Sequence, residues 1–593
     1  MAGHQNRLAH FWQELKRRRV IHVIAVYASA SFVIIELAGN LTEPLNLPSS
    51  LSTIVIIVLA IGFPLAIILS WLYDLTSGTF ERTKPIEDIP EEEKASIPNA
   101  WKIATYVSFV VIIGLAALNI LSRGDIIKPG MIQSMVVLPF HNYTGDEDLD
   151  YFVSGMHSSL IGDMGKVSGL RILSETTSNV YKNAEIPVPE IASELGVDAV
   201  IEPTVTCFGD TICLQVKVYS AFPEEKLLWV NEYKEDRRNI LNLYNRITKQ
   251  IAEEVKVELT PEEDRLLARS IIVDREAYED YLKSSLYEGD LSPESLLKAR
   301  DYLKSAIEKD PGWAPLYSAM ATVWVSIATM GPESPETAIP KTYENLNKAL
   351  ELDPDLAEAH YMSAFLAFST EWNWEKSENE FLKTLAINPN YTFARMHYSY
   401  ILYFLQRPEE GLAQAKLAYR LDPLNPIVQV SYAHILCCEG DCDSALTVLE
   451  NILTVDPENY YAWDATRIAA ARCGDFDRVF EAEKHYIALE QETFKEIERI
   501  YSENGFYEAY NELVKQMEVH SQDNYVLPID MALRYYVLNK DDEAMDWLEK
   551  GFDLHDPNLP FCAFSLMGFK RLYDDPRFID MAEKINLPVP ATD

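Results

Sequence analysis

The sequence predicts a mostly α-helical protein that contains one small α/β domain. Three observations lead to this fold class. Apolar runs long enough to span a membrane occupy 20–38, 54–73 and 103–121. Strand-like and helix-like patterns alternate over 131–258, and an Asp-Pro or Asn-Pro dipeptide recurs through 262–593. The expected order is therefore three transmembrane helices, an α/β layer domain and an α-solenoid of helix pairs.

The size and the charge of the chain limit its fold and its partners. With 593 residues the chain is too long for one hydrophobic core, so several domains are expected. The net charge is -39, from 52 basic and 91 acidic residues. A surface this acidic repels phosphate backbones, which argues against nucleic acid as a partner. Because 48% of the residues are apolar, the acidity does not indicate disorder.

The first 19 residues form a basic amphipathic segment that we expect in the cytoplasm, since Arg7 and the basic run at 16–19 outweigh Glu14. Ala28-Ser29-Ala30 imitates a signal-peptidase site, but the apolar run continues past it and favours an uncleaved membrane segment. Three helices over 20–123 place everything after about 123 in the periplasm, because the loop charges fit that orientation. The predicted location is the bacterial inner (cytoplasmic) membrane, with several crossings.

The segment 131–258 has the pattern of a small α/β layer domain. A buried-strand composition at 134–140 (SMVVLPF) is followed by helical spacing at 151–165. Three further strands and a closing amphipathic helix are expected at 199–207, 212–220, 227–233 and 240–257.

The chain has seven cysteines, so at least one thiol stays unpaired within the chain. Cys207 and Cys213 flank the Gly209-Asp210 turn, and they face each other across two strands if the turn centres on Asp210. A disulfide then fits the geometry, and the alternative is that both are small apolar residues. The spacing leaves open the pairing of the cysteines in the repeats, which are Cys437, Cys438, Cys442 and Cys473.

Several spaced motifs of the 131–258 segment resemble a known family. Val136-Val-Leu-Pro-Phe140, Thr144-Gly-Asp146 and Glu194-Leu-Gly-Val-Asp-Ala-Val-Ile-Glu202 resemble the TolB amino-terminal-like domain. With the N-terminal Phe11-Trp-Gln-Glu-Leu-Lys-Arg-Arg-Arg-Val20, the chain looks like the bacterial TolB-like, tetratricopeptide-containing membrane proteins. The resemblance implies an extracytoplasmic interaction or sensing domain and no catalytic one. In such proteins a cyclase or a DNA-binding domain often precedes the membrane segments. Here only 19 residues do, so we expect that any cytoplasmic output is missing or is supplied by another chain.

The dipeptides of the second half recur at a nearly fixed step. They are Asp310-Pro311, Asp353-Pro354, Asn388-Pro389, Asp422-Pro423 and Asp456-Pro457, and the last three steps are 35, 34 and 34 residues. A period near 34 is typical of tetratricopeptide repeats, in which proline follows the second helix because it cannot continue it. The extra residue of the 35-residue step falls near Trp372-Asn373-Trp374. We therefore expect a repeat array over 262–593 that ends in a polar C-terminal cap.

In tetratricopeptide folds, positions 2, 5, 9 and 12 of each first helix tend to face a concave groove. The residues at such positions here are mostly aromatic or apolar: Tyr361, Phe365, Phe368, Phe393, Met396, Tyr400, Tyr403, Val430 and His434. The Lys and Asn with which chaperone-tail binders hold a carboxylate are absent. An apolar peptide or a partner helix is the expected occupant of the groove. The alternative is that these side chains form ordinary core between repeats.

The sequence lacks the common catalytic and cofactor motifs. It has no GxGxxG after a strand, no Walker loop, no HExxH, no GxSxG and no metal-ligand spacing. We therefore expect no enzyme, no cofactor and no metal. The predicted function is a membrane-anchored, non-catalytic scaffold that binds protein or peptide partners, with homo-oligomerisation left open. The alternative is a transmembrane sensor that signals to a separate cytoplasmic effector such as a cyclase or a regulator.

Overall fold

The computed structural model describes two compact units, Met1–Lys128 and Pro129–Asp593. In the first unit the described residues are 31, 59, 62–64, 73–76 and 79–82. In the second they are 132–588, apart from 147, 148, 183, 185, 222–224, 289–291, 331, 332, 488, 523, 525 and 564–568. The described part of the first unit contains an antiparallel pair of strands, β1 (Tyr73–Thr76) and β2 (Thr79–Arg82).

The prediction of three membrane-spanning helices is wrong by the structure. Across the residues that the structure describes, no helix has both the length and the apolar character that crossing a membrane requires. Most of 20–38, 54–73 and 103–121 lies outside those residues, and Tyr73 begins a strand where the second helix was expected to end. Apolar runs indicate which residues avoid water but do not by themselves determine the element they form. The multi-pass, membrane-integral location depended on these helices and is corrected with them.

The α/β part of the second unit is a six-stranded sheet with helices on both faces. Its strands are β3 (Ser134–Val137), β4 (His141–Asn142), β5 (Arg171–Ile172), β6 (Ala199–Phe208), β7 (Thr211–Ser220) and β8 (Lys226–Asp236). The order is β5-β3-β6-β7-β8, with β4 also beside β6. Parallel pairing of β3 with β5 and β6 gives way to antiparallel pairing from β6 to β8. The helices are α1 (Asp150–Met164), α2 (Glu175–Asn179), α3 (Val188–Leu195) and α4 (Ile240–Glu254).

Strand β3 is buried on both faces, which explains its unbroken apolar sequence. Met135 belongs to a core that includes Met156 of α1 and Ile251 of α4. Val136, which points to the opposite face, packs in a second core with Ile191 of α3. The strand therefore joins two apolar layers, as the run at 134–140 predicts.

Helix pairs make up the rest of this unit. They are α5 (Pro261–Leu267), α6 (Arg275–Glu288), α7 (Pro293–Lys309), α8 (Ala314–Met330), α9 (Pro335–Leu352), α10 (Ala357–Ser369), α11 (Trp374–Ile387), α12 (Thr392–Phe404), α13 (Pro408–Leu421), α14 (Pro426–Cys438), α15 (Cys442–Val455), α16 (Tyr460–Cys473), α17 (Phe476–Tyr486), α18 (Gln491–Asn504), α19 (Phe506–His520), α20 (Pro528–Val537), α21 (Asp541–Asp553) and α22 (Pro576–Lys584). From α10 to α16, the first helices of successive pairs begin at the same 35- and 34-residue steps as the dipeptides. The helical-repeat part of the prediction is confirmed.

Each dipeptide lies in a turn that the next helix closes with a side chain. We call these five turns the Asx-Pro turns. In every one, the residue six positions after the proline donates a hydrogen bond to the proline carbonyl. The donors are Tyr317 (3.1 Å), His360 (2.8 Å), Arg395 (2.8 Å), Gln429 (2.5 Å) and Trp463 (2.8 Å). Five different side chains thus satisfy one recurrent backbone acceptor.

Two of the Asx-Pro turns also hold the α/β part against the repeats. The Asn390 amide donates to the carbonyls of Gly165 (3.0 Å) and Leu170 (2.9 Å) and accepts from the Ile172 N–H (3.1 Å). In the next turn, Asp422 accepts from the Thr177 hydroxyl at 2.8 Å. In the preceding turn, Asp353 pairs at 2.9 Å with Arg269, which follows α5 and lies outside the α/β part. The feature that marks the repeat in sequence therefore also joins the two halves of this unit.

A buried ionic network joins the last repeats. Arg534 of α20 donates two hydrogen bonds to Glu483 of α17, at 3.0 and 2.8 Å. The hydroxyl of Tyr510 donates to the same carboxylate at 2.8 Å. Arg467 of α16 donates to Asp530 at 2.9 Å. Because Arg467, Glu483 and Arg534 are almost fully shielded from solvent, each charge depends on its partner.

Candidate functional site

The side chains predicted to line the groove lie on three consecutive first helices, α10, α12 and α14. Phe368, Met396, Tyr400, Tyr403 and Val430 are buried, and Tyr361, Phe365, Phe393 and His434 are partly buried. Many pack on one another or on the adjoining turn; the Tyr361 and Tyr391 rings, for example, stack with centroids 5.1 Å apart. Five of them, Tyr361, Phe365, Phe368, Tyr400 and Tyr403, share one aromatic layer, whereas Phe393 and Met396 pack in a second cluster and Val430 in a third.

One ring from the far end of the chain lies in this layer. The short 3-10 helix Leu559–Ala563 carries Phe561, which meets three aromatic rings edge to face. The centroid distances are 5.3 Å to Tyr400, 5.3 Å to Phe404 and 6.2 Å to Phe368. Edge-to-face contacts are the geometry that aromatic pairs prefer. We call Phe368, Tyr400 and Phe404 the aromatic pocket, and Phe561 is its occupant.

Further contacts hold the end of the chain beside this pocket. We call residues 554–563 and 569–588 the C-terminal arm. The imidazole of His555 stacks on the indole of Trp372 with centroids 3.8 Å apart, and its Nε2 lies 2.7 Å from the Thr370 carbonyl. The indole N–H of Trp374 donates to the carbonyl of Ile585 at 2.8 Å. The turn between α10 and α11 is thus one attachment point of the arm, and α21 is another, since Arg571 bonds Asp541 and Arg577 bonds Asp542.

The interior beside the pocket is apolar and uncharged at neutral pH. Burial lowers the pKa of His434 to about 4. Burial also lowers the pKa of His397 to about 4, although its bond to the Phe393 carbonyl opposes that shift. The hydroxyl of Tyr400 lies 3.2 Å from Nδ1 of His434, while the hydroxyl of Tyr403 donates to the exposed carboxylate of Glu439. The site therefore combines aromatic packing inside with a carboxylate at its rim.

Two disulfide bonds covalently link neighbouring elements of this unit. The sulfurs of Cys207 and Cys213 are 2.06 Å apart, and the two residues pair directly across β6 and β7. Cys442 and Cys473 are joined with sulfurs 2.03 Å apart, which ties the start of α15 to the end of α16. Cys437 is a free, buried thiol. Within the described residues, no group of three or more His, Cys, Asp or Glu side chains is arranged to hold a metal ion.

Sequence reasoning found part of the pocket and missed its occupant. It placed Phe368 and Tyr400 at groove positions but did not identify Phe404, Phe561 or the arm contacts of Trp372. One signal was available. Trp372 occupies the turn position at which later repeats have Gly440 and Gly474. A bulky residue at a position suited to glycine indicates that its side chain makes a specific contact.

Comparisons with known proteins yield one sequence relative and several structures. No family model matches the chain. Over 250 residues, 42% of this chain, the sequence is 28% identical to a protein of Rhizobium meliloti (strain 1021) described as "Putative adenylate cyclase 3". The match covers 42% of that protein, so the chain spans less than half the length of this relative.

The similar solved structures include helical-repeat proteins. A tetratricopeptide repeat protein from Parabacteroides merdae ATCC 43184 is 13% identical, with a TM-score of 0.29 and coverage of 53% of this chain and 100% of the other. PilF of Pseudomonas aeruginosa is 18% identical, with a TM-score of 0.29 and coverage of 41% and 98%. At TM-scores this low, the description of the array depends on the helices of this chain itself.

Proposed function

We propose that the protein is a non-catalytic scaffold whose helix-pair array binds protein or peptide partners. The observation that carries the proposal is the occupied aromatic pocket. Its rings on α10 and α12 hold a phenylalanine that belongs to a distant segment of the chain. A pocket that accepts an aromatic side chain from its own chain offers the packing that recognition of a partner's aromatic residue requires.

The chemistry of the lining supports binding. The partly buried imidazoles of His397 and His434 stay neutral at physiological pH because burial lowers both pKa values to about 4. The lining therefore offers aromatic surface with few hydrogen-bond partners. Such a surface favours an apolar partner segment over an acidic one, in line with the missing carboxylate clamp.

Site-specific crosslinking tests this function. A photo-reactive amino acid replaces Phe393, at a predicted groove position of the first helix α12 (the inner face), or Leu382, on the second helix α11. Leu382 is 47% exposed, so the control position reaches solvent at least as well as the test position. We expect a discrete partner to be crosslinked from 393 and not from 382. Equal crosslinking from both positions, or none from 393, contradicts binding by the inner face.

A second function is favoured by the sequence relative. A likeness of 250 residues to a protein named as an adenylate cyclase supports a regulatory module that senses a ligand and controls a cyclase on a separate chain. The two functions differ in a measurable way. Only the second requires that cyclic AMP production by a co-purified cyclase changes when this chain is removed.

A further inference from the structure

We propose that the natural ligand of the aromatic pocket is a partner segment in which an aromatic residue follows a proline and basic residues flank both, and that Leu559–Ala563 occupies the pocket until such a segment displaces it. This inference rests on the proposed function and specifies the chemistry of the partner.

The occupant itself defines which side chains fit. Leu559, Pro560 and Phe561 follow one another in the 3-10 helix, and Leu559 and Pro560 are buried. Leu559 packs beside α21 at Gly551, where an alanine Cβ would lie 3.5 Å from the Leu559 Cδ1. Phe561 alone enters the aromatic pocket and remains only partly buried. The pocket therefore recognises the aromatic ring, while the preceding proline sets the turn that presents it.

The occupant is attached in a way that permits exchange. The N–H groups of Leu559 and Phe561 donate to the carbonyls of Asp556 and Asn558, which are inside the C-terminal arm. These backbone bonds can persist when the ring leaves α12, so the contact to be broken is the aromatic packing of one side chain. An incoming ring replaces that packing with the same kind of contact.

The attachment of the arm also contains backbone strain. Trp372 and His555, which stack on each other, have φ values of 49° and 55°, in the left-handed region that bulky residues rarely adopt. Such conformations persist where the surrounding contacts impose them and are frequent at switch regions. Gln406 and Asn539 have the same left-handed backbone without a ring stack, so the turns impose this conformation, and the stack is the contact that opens when the arm is released.

The charge of the protein specifies the flanks of the partner segment. The chain carries a net charge of -39. Beside the pocket, the exposed carboxylate of Glu439 accepts a hydrogen bond from the Tyr403 hydroxyl. An acidic protein attracts a basic segment and repels an acidic one. Lysine or arginine residues around the Pro-aromatic pair are therefore expected.

Fluorescence anisotropy of labelled peptides on the full chain tests the proposal. The probe is Lys-Lys-Leu-Pro-Phe-Lys-Lys, and the control peptide has Ala in place of Phe. We expect Phe561→Ala to bind the probe at least tenfold more tightly than the wild type, because the pocket is vacant. Adding Tyr400→Ala should return the affinity to the wild-type level or below. Equal binding of the two peptides, or no gain in Phe561→Ala, overturns the proposal.

A measurement on the wild type avoids dependence on the fold of the variants. Saturating probe should raise hydrogen–deuterium exchange within 555–563 at least threefold and leave α14 unchanged. Peptide binding with unchanged exchange at 555–563 overturns the displacement. If crosslinking from position 393 still identifies a partner in that case, the proposed function stands and the self-occupied pocket fails.

Discussion

The indole of Trp372 and the imidazole of His555 stack with ring centroids 3.8 Å apart, and both residues have left-handed backbone. Trp372, Gln406, Gly440 and Gly474 follow one another at steps of 34 residues, so they occupy the same turn position in successive repeats. All four have positive φ. Glycine adopts this conformation without strain. The tryptophan therefore replaces a residue suited to the turn with one suited to holding the C-terminal arm.

Trp372→Gly should loosen the arm while leaving the turn intact. The variant loses a buried indole, which costs about 3–5 kcal/mol, and it regains about 1–2 kcal/mol because glycine relieves the left-handed strain. A net loss of about 2 kcal/mol is expected, with faster hydrogen–deuterium exchange across 552–563. Gln406→Gly is the matched control, since Gln406 is exposed at the equivalent turn, and it should gain up to about 1 kcal/mol. Unchanged exchange in Trp372→Gly contradicts the role of the stack.

Asn390→Ala should weaken the contact between the α/β part and the repeats. Truncation leaves the Gly165 and Leu170 carbonyls and the Ile172 N–H without their side-chain partner, at about 1–3 kcal/mol each before relaxation. We expect about 3 kcal/mol less stability in urea, with faster exchange over 165–172. Glu458 holds the equivalent place in a turn that is exposed, and Glu458→Ala should change stability by less than about 0.5 kcal/mol. Similar losses in both variants argue against docking through Asn390.

His360→Gln should remove a pH-dependent contribution to stability. Burial lowers the pKa of His360, but the hydrogen bond to Glu380 (2.6 Å), the bond to the Pro354 carbonyl and the negative charge of Glu380 together outweigh burial, so the pKa is raised. The stabilisation is complete below the unfolded pKa of about 6.5 and is lost as pH rises through the higher folded pKa. Glutamine keeps a donor for the Pro354 carbonyl. Gln429 plays the same role two Asx-Pro turns later, where it donates to the Pro423 carbonyl.

The comparison of unfolding free energies between pH 6 and 9 measures this effect. Wild type should lose stability over that range by more than His360→Gln does. His397 and His434 do not affect the difference, because wild type and variant both contain them; their lowered pKa values, about 4, place most of their contribution between pH 4 and 6.5, where stability rises with pH. Parallel pH profiles of the wild type and the variant contradict the assignment.

Local patterns in the sequence predict the repeats and the sheet well. The dipeptide step locates the helices because each proline ends one helix and the period fixes the next. The apolar run at 134–140 predicts β3 because a strand covered on both faces has no polar side. The membrane prediction, which combined apolar runs, flanking charges and a family resemblance, is wrong, and Tyr73 lies in a strand instead.

Contacts between distant segments could not be predicted in the same way. Phe561 reaches Phe404 only because the path of the array brings its last helices back to α12, and that path depends on the packing of every pair between them. No short-range periodicity encodes it. The sequence does show that Trp372 occupies a turn position where later repeats have glycine. This tryptophan lies where the C-terminal arm contacts the turn.

Arg534→Met should be among the most destabilising single changes in the array. It leaves the Glu483 carboxylate buried with no hydrogen-bonded cation, because the nearest one, Arg467, is 4.0 Å away, and this costs about 3–5 kcal/mol. Glu483→Gln combined with Arg534→Met removes the unpaired charge and keeps an acceptor for Tyr510, so most of the loss should be recovered in urea denaturation at pH 7. Arg499, which is 54% exposed and paired on its own helix, is the control, and Arg499→Met should change stability by less than about 0.5 kcal/mol. If the double variant is as unstable as Arg534→Met, lost packing rather than the buried charge is the cause.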